Sequence, residues 1–170
     1  MLKDKASFRG EFILECYRRG MLLWVESTHN LLTDEGLNRL LNVMLHTTTQ
    51  TATWYCCIVE TDTAPAAGMT YDVPVYTECT AYGEATRPAY NEALSTAKST
   101  TNSANKATFT INAAKTIYGA SLVSLNTKGN HVAGADNVLF CYAKLDASHV
   151  VANTDVLYLT YTLTATDDGV

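Results

Sequence analysis

Lys-Ala-Thr-Phe-Thr-Ile-Asn-Ala (106–113), a break at Ala114 and Lys115, then Thr-Ile-Tyr-Gly-Ala-Ser-Leu-Val-Ser-Leu (116–125) form the stretch on which the fold turns. In the first run Ala107, Phe109 and Ile111 alternate with Thr108, Thr110 and Asn112. Successive side chains of a strand point to opposite faces, so this is a half-buried β-strand with a wet threonine face. The second run is apolar or small on both faces, as expected of a strand covered on two sides. The short break between them predicts a hairpin. Residues 155–165 alternate in the same way, with Leu157, Leu159, Tyr161 and Leu163 on one face and Tyr158, Thr160, Thr162 and Thr164 on the other.

Working outward, residues 11–18 and 21–27 flank Arg19-Gly20, a hairpin signal. Residues 54–59 and 138–145 read as buried strands. The one helix spans residues 33–46. Thr33 is its N-cap, and Asp34 and Glu35 suit the positive end of its dipole. Leu37, Leu40, Leu41 and Met44 repeat at helical spacing and predict a stripe packed on the sheet. Gly36 weakens the first turn. Residues 60–75, with Pro65, Gly68 and Pro74, read as a loop long enough to be functional or mobile. Pro88 forbids central strand pairing in the 82–90 segment, where Arg87 lies between Tyr82 and Tyr90. The sum is a mainly β protein: a β-sandwich of jelly-roll or Greek-key type, with about eight strands and one α-helix. Residues 1–10 form an N-terminal arm and residues 11–170 a single domain.

The chain has 170 residues, enough for one domain with a substantial core. Hydrophobic residues make up 47% and charged ones 17%, with Thr, Ser, Asn and Ala filling the shortfall in charge. A net charge of −5 argues against a nucleic-acid partner, which calls for a concentrated basic surface. No apolar run is long enough for a membrane span. The first ten residues lack the apolar centre of a signal peptide, so folding in the cytoplasm is expected. Five cysteines (Cys16, Cys56, Cys57, Cys79, Cys141) in irregular spacing read as reduced core residues, with no zinc pattern.

Catalytic signals are lacking. His29, His46, His131 and His149 are scattered, Asp72, Asp167 and Asp168 are loop or tail carboxylates, and no nucleophile elbow, phosphate loop or dinucleotide fingerprint occurs. The expectation is a protein that is not an enzyme and takes no cofactor or metal.

Five runs taken together carry a resemblance. They are Asn30-Leu-Leu-Thr-Asp-Glu-Gly-Leu-Asn (30–38), Trp54-Tyr55, Glu84-Ala-Thr-Arg-Pro-Ala-Tyr (84–90), Asn102-Ser-Ala-Asn-Lys-Ala-Thr-Phe-Thr-Ile (102–111) and Leu159-Thr-Tyr-Thr-Leu-Thr (159–164). In this order the chain resembles small tailed-bacteriophage virion proteins of the capsid cement, or decoration, class. The likeness covers roughly residues 22–168, and 84–90 is its most specific piece; residues 1–20 and the vicinal Cys56-Cys57 lie outside it.

The resemblance implies a protein on the capsid exterior that binds the major capsid protein and bridges neighbouring coat subunits as a homo-oligomer, dimer or trimer. Candidate contacts are Lys3, Lys5, Phe8 and Arg9 in the arm, and Tyr71, Tyr76, Arg87 and Tyr90 in the loops. Tyr and Arg dominate interface hot spots. The competing expectation is that Arg87 and its tyrosines pin a loop internally. The alternative function is a tail or fibre-associated module that recognises a host surface or carbohydrate.

Overall fold

The computed structural model describes residues 6–167. Its strands are β1 (Ala6–Arg18), β2 (Met21–His29), β3 (Leu31–Leu32), β4 (Tyr55–Val59), β5 (Ser99–Thr101), β6 (Ala107–Thr110), β7 (Lys115–Val123), β8 (Leu139–Val151) and β9 (Val156–Asp167). One helix, α1 (Asp34–Leu45), lies between β3 and β4. All pairings are antiparallel. Sheet A runs β2-β1-β9-β5 with β6 also on β9, and sheet B runs β3-β8-β7-β4. Two sheets sharing a core make the expected β-sandwich.

The 106–125 stretch does not form a hairpin. β6 pairs with β9 in sheet A, whereas β7 pairs with β4 and β8 in sheet B. The intervening residues carry the chain across the sandwich, held by Ile111 N–H to Asp155 O (2.8 Å) and Asn112 N–H to Ala81 O (3.1 Å). The reason lies in the apolar faces. Paired across the two-residue break, Phe109 and Ile117 would fall on opposite faces of one sheet. On opposite sheets, they close one core with Phe12, Leu14, Leu122, Leu157 and Leu159.

Sheet B is covered a second time. Met69, Tyr71 and Tyr76 from the long loop pack on its outer face against Cys57, Val59, Val123, Leu139 and Tyr142. Alternation along β4 therefore sends Cys56 and Ile58 into the inter-sheet core and Cys57 and Val59 into the outer one. This double cover accounts for the apolar character of β7 on both faces. All five cysteines are buried free thiols, as expected.

The helix begins where the sequence places it. Thr33 is its N-cap, and its Oγ1 accepts from Gly36 N–H at 2.9 Å. Thr33 N–H donates to Phe140 O (3.1 Å), and the Glu35 carboxylate accepts from Leu139 N–H (2.6 Å) and Tyr71 N–H (2.9 Å). Burial pushes the Glu35 carboxyl above its ordinary range, against the two N–H groups that favour its ionised form. Gly36 is needed for close approach: a Cβ there would lie 2.3 Å from Phe140 O. The first turn is thus clamped onto β8.

The rest of the helix corrects the expected packed stripe. Leu40 touches the core, but Leu41, Met44 and Leu45 are 52%, 70% and 81% exposed. Arg39 holds the middle of the helix to Thr51 Oγ1 and Thr49 O (both 3.2 Å), and Leu40 and Val43 stay half-buried, so exposure is confined to the other side chains of the last turns.

β1 starts at Ala6, five residues before the expected strand start at residue 11. Its first residues pair with the end of β9, Phe8 opposite Ala165 and Arg9 opposite Thr164, in a ribbon running beyond the β2 ladder. At the other end of β1, Arg18 grips Asp155 through Nε (2.7 Å) and Nη2 (2.8 Å).

Candidate interaction surfaces

The residues expected to meet a partner fall into two groups. Phe8 and Arg9 are exposed on the β1–β9 ribbon. Lys3 and Lys5 lie outside the described residues. Tyr71, Tyr76, Arg87 and Tyr90, by contrast, are buried, and Arg87 is only 1% exposed. A surface role for these four is corrected: of the two expectations for Arg87, the structure shows the internal pin.

The pin is built from three loop segments. Arg87 donates from Nε to Glu78 Oε1 (2.9 Å) and from Nη2 to Glu78 Oε2 (2.6 Å) and Asn130 O (2.9 Å). Its Nη1 donates to Tyr71 Oη (2.9 Å) and Leu125 O (2.7 Å). A guanidinium has five N–H donors, so every one is spent inside the chain. Glu78 also accepts from Gly129 N–H (2.9 Å), and His131 Nε2 stands 3.4 Å away. Tyr71 Oη in turn donates to Asn130 O (2.5 Å), and the Arg87 guanidinium carbon lies 5.6 Å from the Tyr71 ring centre.

Burial alone would raise the Glu78 carboxyl, but His131 and the Arg87 guanidinium outweigh it and bring its pKa down to about 2. The same pairing raises that of Arg87. The pin holds the loop of residues 60–90 as a lid on sheet B and leaves no donor of Arg87 for another molecule. Tyr76 and Ser121 join their hydroxyls at 2.8 Å under that lid, and Tyr90 stacks edge-on against Tyr161 in the inter-sheet core.

Sequence reasoning missed Glu78. Its one signal is that it stands as the sole acid in the largely apolar and aromatic run 73–82. The remaining histidines are dispersed. His149 stacks on Trp24, with ring centres 4.0 Å apart, and pairs with Glu26, but no metal-ligating trio of His, Cys, Asp or Glu occurs among the described residues.

Two gathered sets of exposed apolar side chains lie elsewhere, apart from Phe8, Leu31, Val73, Val75, Leu94, Val132 and Val150. One is the far end of α1. Beside it an apolar groove of about 220 Å³ runs under the helix, lined by Leu40, Val43, Met44, Trp54, Phe140 and Leu163. The other is the start of β2, where Met21, Leu22, Leu23 and Val25 face water. Isolated exposed apolar residues are ordinary, but gathered sets are not. By sequence, the chain matches no protein-family model and no curated protein.

Proposed function

We propose that the chain is a non-enzymatic virion structural protein of the cement class. It binds the outer capsid shell and bridges neighbouring coat subunits, and the C-terminal half of α1 supplies the contact to the shell. The observation that carries this reading is the row Leu41, Met44 and Leu45, left uncovered on a helix whose first turn is firmly clamped. A rigid sandwich that presents exposed apolar side chains on an anchored helix has the form of an adhesive module. The groove beside it, floored by Trp54 and Phe140, offers a seat for an apolar side chain of the coat. The likeness of residues 84–90 and 102–111 to virion cement proteins supplies the partner.

The test is binding to purified expanded shells, with occupancy read by cryo-electron microscopy. Wild-type chains should coat the shell exterior, and Leu41→Glu with Leu45→Glu should strip them off while leaving the melting temperature unchanged. Density confined to the tail would overturn the reading in favour of adsorption or tail assembly. Full occupancy by the double variant would remove α1 from the contact.

A further inference from the structure

β2 of sheet A is joined to β8 of sheet B through its inward side chains. Alternation turns Trp24, Glu26 and Thr28 to that side, and each of them reaches β8. Thr28 Oγ1 donates to Lys144 O (2.8 Å), and Glu26 accepts from Ala147 N–H (3.1 Å). β8 is irregular at this point. Its ladder with β7 sets Gly119 opposite Lys144 and resumes with Ile117 opposite His149, so residues 145–148 stand against Tyr118 alone. A bulge leaves backbone groups without a ladder partner, and the Glu26 carboxylate takes one of the freed N–H groups.

His149 completes the arrangement. Its ring lies on Trp24, with centres 4.0 Å apart and planes 12° from parallel, and its Nε2 donates to Glu26 Oε2. The imidazole of one sheet is thus held between an indole face and a carboxylate of the other. The two side chains are largely out of water, His149 21% and Glu26 14% exposed, yet open enough for a proton to reach. Burial alone would raise the Glu26 carboxyl, but the hydrogen bonds from His149 and from the bulge hold it below the ordinary range. The carboxylate is therefore charged wherever an imidazole titrates. The surrounding ionisable groups are committed elsewhere: Lys144 to Asp62, Lys115 of β7 to Glu60 and Arg18 of β1 to Asp155. Asp146 of the bulge is exposed, and the Cys16 thiol opposite Trp24 is pushed up to about 11 and stays neutral.

We propose that Trp24, His149 and Glu26 form a proton-gated latch between the sheets: protonated His149 fastens β2 to the β8 bulge, and loss of that proton loosens it. Nε2 faces the carboxylate and so carries its hydrogen in either state. What the second proton adds, at Nδ1, is charge. It strengthens both the bond to Glu26 and the contact with the electron-rich indole face. Histidine is the side chain that changes charge between about pH 5 and pH 8. The gain is complete on the acid side of that window and is lost as pH rises through it. The latch stands apart from the capsid reading and acts in the free protein.

Tryptophan emission and amide exchange of the full chain test it. Trp54→Phe leaves Trp24 as the one tryptophan. A charged imidazole quenches a stacked indole more than a neutral one does, so Trp24 emission should rise from about pH 5 to about pH 8. Exchange of the Ala147 amide, corrected for its intrinsic pH dependence, should quicken by about tenfold over the same range. His149→Gln keeps an N–H for Glu26 but cannot be charged, and should flatten both responses. Emission or corrected exchange that is independent of pH, or responses that persist in His149→Gln, overturn the proposal. Should either variant fail to fold, the ring nitrogen shifts of His149 in the wild type decide. Their titration in step with Ala147 exchange supports the latch, and exchange that follows another group refutes it.

Discussion

Arg87 meets Glu78 in a two-pronged ion pair, Nε 2.9 Å from Oε1 and Nη2 2.6 Å from Oε2, with both side chains out of water. Removing one member of a buried pair strands the other charge, at a cost of about 3–5 kcal/mol. Arg87→Ala should therefore lower the unfolding free energy by that amount, read from the urea midpoint at constant slope. Since the pin holds only the lid on sheet B, amide exchange should speed up first in residues 60–90 and 125–131. Uniform acceleration across both sheets would show that the pin belongs to the whole fold.

The same pair sets an acid response. The Glu78 pKa is lowered from 4.5 to about 2 in the folded chain. A carboxyl depressed on folding contributes stability that is complete above its unfolded pKa and lost as pH falls through the folded one. Stability should thus decline between about pH 5 and pH 2, because the unfolded chain binds the proton first. Glu78→Gln should be less stable at pH 7 and should flatten the decline. An equally steep acid transition in that variant would assign the loss to other carboxylates.

Gly36→Ala pits two effects against each other. Alanine improves helix propensity by about 1 kcal/mol. Its Cβ, however, would sit 2.3 Å from Phe140 O, a backbone atom with little room to move. Overpacking of this kind costs about 1–3 kcal/mol, so the variant should be destabilised despite the better helix former. A raised melting temperature would show that α1 can lift off β8 freely.

The thiols should be silent. Burial pushes Cys16 and Cys79 up to about 11 and Cys141 to about 12, and raises Cys56 and Cys57 further. Since the thiolate is the reactive form, native protein should resist an aromatic disulfide reagent at pH 8, with all five reacting in urea. Rapid labelling of one cysteine in the native state would locate a local opening.

How much of this was legible in the sequence depends on the range of the interaction. Strand faces and the Thr33 cap are local, set by alternation and by a hydroxyl three residues from Gly36 N–H, and both were readable. The pairing of β6 with β9 and of β7 with β8 is not local. Alternation shows which face is apolar but not which sheet the strand joins. The α1 stripe failed for a related reason. Helical periodicity marks an apolar face, but Leu41 and Met44 read the same whether covered by this chain or left exposed. Arg87 was noticed for its neighbouring tyrosines, whereas its true partner lies nine residues away on an irregular path that periodicity does not describe.

The position of β9 bears on how the protein is made. β9 pairs with β1, β5 and β6, and the ribosome completes all three before it begins β9. Until residues 156–167 emerge, β1 has only β2 beside it, and β5 and β6 have no sheet to join. Sheet B, whose four strands end at Val151, can assemble earlier, but its inner apolar face waits for a sheet that does not yet exist. Folding of the nascent chain is therefore gated late, and a ribosome that stalls before residue 156 holds a half-sandwich with its core open to chaperones and to aggregation.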